Sequence, residues 1–166
     1  MKALFVGRFQ PLHKGHEETI RKLLKEYEKV IVLIGSKQKK RTQSNPFSYE
    51  ERKEMLEIVF SKEINDRKIV VGGIEDLESD EEWANKIIEN YDFDVVVTGS
   101  DWVAKCFGGK KEIKRVELIQ PEKINGTNIR RLMKEGSEEW KEYVSEEVAK
   151  YIQKIGLKEF LSSLPE

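Results

Sequence analysis

Short runs of β-branched and aliphatic residues alternate along this chain with longer amphipathic stretches, and that alternation restricts the fold more than any other feature. The apolar runs at 3–6, 30–34, 69–71 and 95–97 are continuous rather than confined to every second residue. That is the pattern of strands covered on both faces. Residues 116–119, interrupted by Glu117, are expected to form a fifth strand. Helical spacings fall between them: Ile20, Leu23, Leu24 and Tyr27 in one segment, Met55, Leu56, Val59 and Phe60 in the next. Ser48 with Glu51 forms a capping box for the second of these, and Ser79 with Glu82 opens a third through Trp83, Ile87 and Ile88. Strand then helix, repeated, requires right-handed crossovers and a parallel sheet. The expected architecture is α/β: a Rossmann-like open parallel sheet with helices on both faces and a helical C-terminal end. In that end Tyr143, Val144, Val148, Tyr151, Ile152, Ile155 and Leu157 read as core.

The 166 residues are expected to form one domain, 1–166, able to bury a core without disulfides or a structural metal. The one cysteine, Cys106, allows no intrachain disulfide. Charged residues make up 37% of the chain, yet the net charge is only -1, which argues against DNA or RNA as the main partner. The apolar run near the N-terminus is too short for a signal peptide or a membrane span. The expected location is therefore the cytoplasm, with no membrane partner.

Ligands of open α/β folds sit beyond the carboxyl ends of the strands. After the first run the chain reads Gly7-Arg8-Phe9-Gln10-Pro11-Leu12-His13-Lys14-Gly15-His16, which holds both of its histidines. Imidazoles donate hydrogen bonds to phosphate oxygens, more strongly when protonated. Gly15 lets the backbone approach a phosphate closely. A helix starting here aims free N–H groups and a positive dipole end at an anion. Near the other end Asn125-Gly126 signals a turn, and Thr127 is placed to cap a helix from Asn128 with Arg130 in its first turn. A hydroxyl, free N–H groups and a guanidinium converging there suit a polyphosphate.

The run from Gly7 to His16 resembles the His-x-Gly-His nucleotidylyltransferase superfamily and, within it, the archaeal type of nicotinamide-nucleotide adenylyltransferase. The resemblance implies an enzyme that joins nicotinamide mononucleotide (NMN) to the AMP part of ATP, giving NAD and pyrophosphate. It makes His13, His16 and Arg130 the catalytic residues, with Gly7, Arg8, Phe9, Lys14 and Gly15 binding ATP and its phosphates. The segment Asn125-Gly126-Thr127 through Arg130-Arg131 is similar to the family's Ser-Gly-Thr-x-x-Arg-Arg phosphate segment. Asn125 stands where the family tends to have serine, and Leu132 where a third arginine is common. Thr98 and Gly99 fall in a loop like the family's adenosine-contacting segment.

The resemblance assigns Ser36, Asp76 and Trp83 to NMN, the indole stacking on the cationic nicotinamide ring. The other reading of Trp83 is a core residue beside Ile87. Arg41 lies where the family often has histidine, and Trp102 is either a second stacking platform or a core residue. Mg²⁺ is expected to be held mainly by substrate phosphates, and the sequence names no protein metal ligand. A homo-oligomer is implied by resemblance alone. The competing readings are another nucleotidylyltransferase, for example one acting on phosphopantetheine, and a module that senses NAD or ATP without turnover.

Overall fold

The computed structural model describes residues 1–166, apart from the side chains of residues 158 and 159. Strands β1 (Lys2–Gly7), β2 (Lys29–Ile34), β3 (Ile69–Gly73), β4 (Val95–Thr98) and β5 (Glu112–Arg115) form one sheet. Its order is β3-β2-β1-β4-β5, and every neighbouring pair is parallel. The crossovers run through α1 (Lys14–Glu26), α2 (Tyr49–Val59) with the short α3 (Ser61–Asn65), α4 (Asp80–Asn90) and α5 (Asp101–Phe107). Beyond the sheet come α6 (Gly126–Lys134), a 3-10 turn at Glu138–Tyr143, α7 (Glu146–Ile155), α8 (Leu157–Phe160) and a last 3-10 turn at Leu161–Ser163.

Alternate residues of each strand feed two separate cores, as the period of two requires. Ala3, Phe5, Val30, Val32, Ile34, Val95 and Val97 face one side, where Ile20 and Leu23 of α1 and Met55 and Leu56 of α2 pack on them. Ile129, Leu132 and Met133 of α6, Trp140, and Val148 and Ile152 of α7 complete that side. Leu4, Ile31, Leu33 and Val96 face the other side, under Trp83, Ala84 and Ile87 of α4 and Val103, Cys106 and Phe107 of α5. Helices therefore cover both faces, and the C-terminal apolar residues belong to the first core, with Tyr143, Tyr151 and Ile155 partly buried against it.

Three local expectations are corrected. The fifth strand is Glu112–Arg115 rather than residues 116–119, because an edge strand pairs with β4 alone and stays largely exposed, so its sequence needs no apolar run. β3 runs two residues beyond the apolar run at 69–71, with Gly72 and Gly73 pairing with Leu33 and Ile34 at its end. Ser79 caps α4 through the Glu82 N–H without the reciprocal bond of a full box, whereas Ser48 and Glu51 make both bonds.

The strand order reverses between β1 and β4, and the crevice beyond their carboxyl ends is where an open α/β sheet binds ligands. Backbone strain gathers at this end of the sheet. Phe9 and Ser36, just past β1 and β2, hold left-handed φ values of 53° and 46°. Non-glycine residues keep that conformation only where their surroundings enforce it.

Candidate active site

The loop after β1 delivers His13 as the N-cap of α1 and His16 as its third residue. His13 Nδ1 accepts from the backbone N–H of Gly15 at 3.1 Å and of His16 at 3.4 Å. His16 Nδ1 accepts in return from the His13 N–H at 3.2 Å. The pair makes a capping box out of two imidazoles, stacked with centroids 3.6 Å apart and planes 20° apart. An imidazole that accepts at Nδ1 carries its proton at Nε2 when neutral, so the bonding pattern assigns an Nε2–H donor to each ring. Burial pushes the His13 pKa down to about 4. Burial, then the neighbouring His13, holds His16 well below its ordinary value. Both rings are thus neutral donors at physiological pH. Phe9 packs edge-on to His16 at 4.6 Å.

The loop is tied down from three directions. Gln10 clamps Phe47, donating to its carbonyl and accepting from its N–H, both at 2.9 Å. Arg130 reaches back from α6 to donate to the Gln10 carbonyl at 2.8 Å. Arg52, fully buried in α2, donates to the carbonyls of Arg8 at 3.0 Å, Gly35 at 2.8 Å and Ser36 at 3.2 Å, and through Nε to Ser48 at 3.1 Å. Arg52 thereby joins the ends of β1 and β2. The pKa values of Arg52 and Arg130 are both lowered to about 10, first by burial and then by Arg8. Arg8 itself turns its guanidinium to Asn45 Oδ1 at 3.4 Å. Among the described residues none of these three guanidiniums is ion-paired with a carboxylate. Arg8 and Arg130 therefore bring uncompensated positive charge to two facing helix N-termini, which is an anion site.

At the second terminus the structure corrects the expected cap. Asn125, not Thr127, caps α6, its Oδ1 accepting from the Asn128 N–H at 2.7 Å, so the helix begins two residues earlier than expected. Thr127 is instead exposed in the first turn and accepts from Arg130 Nη2 at 3.3 Å. The Asn125 side chain reaches the third N–H from the extended backbone of the turn, which is what an N-cap needs. Gly126 lets Arg130 lie close: a Cβ there would be 2.6 Å from Arg130 Nη1. Gly15 has the same role beside His13, at 2.9 Å from the ring. Lys14 is exposed at the first position of α1. Arg131 joins Thr127 and Arg130 in lining a neighbouring basic cavity, but its charge is balanced by Glu135 at 2.9 Å.

Two other assignments change. Phe9 is 1% exposed with its ring under Gly7, so it supports the loop and its side chain does not face a phosphate. Thr98 is buried, and its hydroxyl accepts from the Ser100 N–H at 2.9 Å, closing the turn after β4. Gly99 presents its carbonyl to Arg115 at 3.2 Å.

Beside the phosphate end lies a cavity of about 270 Å³, lined by Gly7, Arg8, Ser36, Asp76, Trp83 and Trp102 among others. Trp83 is 3% exposed in the second core, and it also lines this cavity. Ser36 donates to Asp76 at 2.9 Å, and Gln38 does so at 3.0 Å. Burial would raise the Asp76 pKa, but the bonds from Ser36, Gln38 and Lys39 outweigh it and hold the carboxyl below its ordinary value. Gln10 and Arg52 were not foreseen as site residues. Gln10 stands in the run after the first strand and Arg52 in a charged stretch of its helix, and neither residue type by itself reports a buried contact.

Paired imidazoles, two helix N-termini and guanidiniums without a carboxylate partner thus lie beside an aromatic cavity on a Rossmann-like sheet. The sequence matches the cytidylyltransferase-like family over residues 4–139. It is 36% identical to nicotinamide-nucleotide adenylyltransferase 1 of Sulfolobus acidocaldarius, covering 93% of this chain and 90% of that protein. It is also 36% identical to the nicotinamide-nucleotide adenylyltransferase of Archaeoglobus fulgidus, with 93% and 92% covered. The chain therefore belongs to the cytidylyltransferase-like family and, within it, to the nicotinamide-nucleotide adenylyltransferases. Its fold is that of a bifunctional NMN adenylyltransferase/ADP ribose pyrophosphatase of Francisella tularensis, solved with AMP and a manganese ion, with a TM-score of 0.77 and 23% identity. The match covers 97% of this chain and 52% of that one, so the chain spans about half of the bifunctional protein.

The depressed histidine pKa values make stability depend on pH in one direction. A histidine whose folded pKa lies below its unfolded value of 6.5 stabilises fully above that value and loses the contribution as pH falls toward about 4. His13→Asn keeps an N-cap acceptor and removes the titrating ring. Between pH 7 and 5 the unmodified protein should lose about 2 kcal/mol more stability than this variant. Urea unfolding at the two pH values measures the difference, and parallel losses would show that His13 is not held neutral.

Proposed function

We propose that this chain transfers the AMP part of ATP to the 5′-phosphate of NMN, releasing pyrophosphate and forming NAD. The observation that carries the reading is the meeting of two helix N-termini, α1 with its neutral histidine pair and α6 with Arg130, at the side of a tryptophan-lined cavity. The names of the archaeal relatives agree with it.

In this mechanism a phosphate oxygen of NMN attacks the α-phosphorus of ATP as the bond to the β-phosphate oxygen breaks. No covalent enzyme intermediate is needed, so the protein's work is positioning and charge stabilisation. His13 and His16 donate from Nε2 to the phosphate oxygens on which negative charge grows. Neutral donors suit this task because their bonds strengthen as the transition state forms without fixing the ground state by full charge. Arg8, Lys14, Thr127 and Arg130 hold the phosphates and the departing pyrophosphate. Arg52 and Gln10 do not touch substrate; they hold the loop that carries Arg8 and the histidines. Ser36, Asp76 and Trp83 form the NMN end.

A divalent cation, Mg²⁺ in our reading, comes to the site on the substrate phosphates. The described residues form no group of three carboxylate, histidine or cysteine ligands, and phosphate oxygens with water suit this ion's octahedral preference.

The direct test is pyrophosphate release from ATP and Mg²⁺ with NMN, phosphopantetheine or no acceptor. We expect release with NMN alone and NAD as the product. Release with phosphopantetheine alone would reassign the acceptor, and ATP binding without release would make the protein a sensor. His16→Ala should lower kcat by about 10²–10³-fold, the cost of removing one preorganised donor. Near-normal turnover in that variant removes His16 from the mechanism.

Gly126→Ala separates site geometry from stability. The new methyl displaces a flexible guanidinium tip rather than backbone, and alanine is the better helix former. The melting temperature should hold or rise while kcat/KM for ATP falls roughly tenfold to a hundredfold, as a displaced contact costs. Unchanged kcat/KM would show that the Arg130 position is not critical.

A further inference from the structure

The loop from β2 to α2 has an outer part, residues 41–46, that is closed on itself. The Arg41 N–H donates to the Pro46 carbonyl at 3.2 Å, and Arg41 Nη1 donates to the same oxygen at 2.7 Å. The Thr42 N–H donates to the Asn45 carbonyl at 3.3 Å, and the Asn45 N–H to Thr42 Oγ1 at 3.0 Å. A turn bonded in this way moves as one piece, so its few ties to the rest of the protein decide where it sits. One tie is the pair of bonds from Arg41 to Glu51 of α2, at 2.6 Å and 2.8 Å. It holds one side of the turn and leaves the tip to be placed by other contacts.

Gln43 supplies the ties at the tip. Its N–H donates to the Pro165 carbonyl at 2.8 Å, and its Nε2 to the Leu164 carbonyl at 3.0 Å. Its Oε1 accepts from Lys134 Nζ at 3.0 Å. Lys134 stands in the last turn of α6, the helix that carries Thr127 and Arg130. The segment 161–165 is anchored by Leu161, which is buried in the first core, in the 3-10 turn that packs on α6. Loop, helix and segment meet around the basic cavity of about 320 Å³, whose wall includes Gln43, Ser44, Thr127, Arg130, Lys134 and Leu161. None of these residues lines the tryptophan cavity. The turn also reaches the other cation of the phosphate end, since the buried Asn45 accepts from Arg8 at 3.4 Å.

We infer that Gln43 is a positioning residue for the ATP end of the site: tied to the segment 161–165 and to Lys134, it holds the turn 41–46 as one wall of the basic cavity and thereby sets the affinity for the polyphosphate of ATP. The inference rests on the proposed adenylyl transfer and goes beyond it, because it gives the C-terminal helical layer, which otherwise serves as core, a part in substrate binding. Gln43 acts through the turn and not by touching phosphate. It carries no charge, and its amide oxygen and nitrogen both have protein partners. What it controls is where Ser44 and Asn45 stand, and with Asn45 the resting place of the Arg8 guanidinium. Docking of the turn and binding of ATP are then linked. If the docked turn binds ATP more tightly than a free one, ATP strengthens the docking by the same factor.

The test combines kinetics with amide hydrogen exchange. Gln43→Ala should raise KM for ATP by roughly three- to tenfold, the net worth of one or two hydrogen bonds, and leave kcat and KM for NMN within about twofold. Lys134→Met keeps the aliphatic stem and loses the donor. If Lys134 works through Gln43, the double variant should bind ATP about as the weaker single variant does. Additive losses would mean that the two act separately and would overturn the tie. In the unmodified protein, ATP with Mg²⁺ and no NMN should slow exchange of the Gln43 N–H, the proton held by the Pro165 carbonyl, by several-fold. A purely structural contact predicts a lower melting temperature for Gln43→Ala, an unmoved KM for ATP and exchange indifferent to ATP, and that result overturns the inference while adenylyl transfer stands. A rise in KM for both substrates together with a fall in kcat overturns it as well, because the turn would then shape the whole site. Absence of turnover in the unmodified protein overturns the transfer reading, and exchange at Gln43, which needs only ATP binding, still decides whether the turn is linked to that ligand.

Discussion

The reciprocal bond between His13 and His16 fixes more of this site than any other contact. Each Nδ1 is consumed by a backbone N–H at the start of α1, so one interaction sets where the helix begins, which tautomer both rings hold, and that neither ring is charged. Protonating either Nδ1 would put a donor against a donor and break the cap. The low histidine pKa values and the helix geometry are therefore two expressions of the same constraint.

Arg52 is the counterpart of that bond on the scaffold side. A buried guanidinium is usually paired with a carboxylate, which would have cancelled its charge. Here carbonyl oxygens from the ends of β1 and β2 do the solvating, so the loops are joined and the positive potential survives. The same oxygens belong to the segment that contains the left-handed Phe9 and Ser36. Backbone in that conformation needs enforcement, and donation from one rigid group to four carbonyls supplies it with fewer ordered side chains than separate contacts would.

Much of this was legible in the sequence, and the failures have a common cause. The four central strands and the helices between them follow from apolar periodicity, because both faces of the sheet are buried and every residue there reports its surroundings. Residues 112–115 gave no such report, since an edge strand is held by backbone bonds to a single neighbour. His13, His16 and Arg130 stood out by residue type and by place in the chain. Thr127 was assigned the cap because threonine is a good cap, and only the structure shows that Asn125 occupies that position first. The roles of Arg52 and Gln10 could not be read for a different reason. Their value lies in carbonyls contributed by residues far along the chain, and a carbonyl leaves no trace in a sequence.

The displacement of the cap from Thr127 to Asn125 has a chemical consequence. A capping side chain spends its acceptor on its own helix, and Asn125 also spends its amide on the Pro121 carbonyl at 2.8 Å. Had Thr127 been the cap, its hydroxyl would have been turned inward. In the first turn it is exposed, with Arg130 beside it. The α1 terminus reaches the same result with different atoms: Nδ1 of each histidine serves the helix and Nε2 is left for the ligand. Both termini thus divide their polar atoms into a set that builds the helix end and a set that faces outward. That division lets a rigid structure present donors which are oriented by the fold yet not satisfied by it, the condition for stabilising charge that exists only as the reaction proceeds.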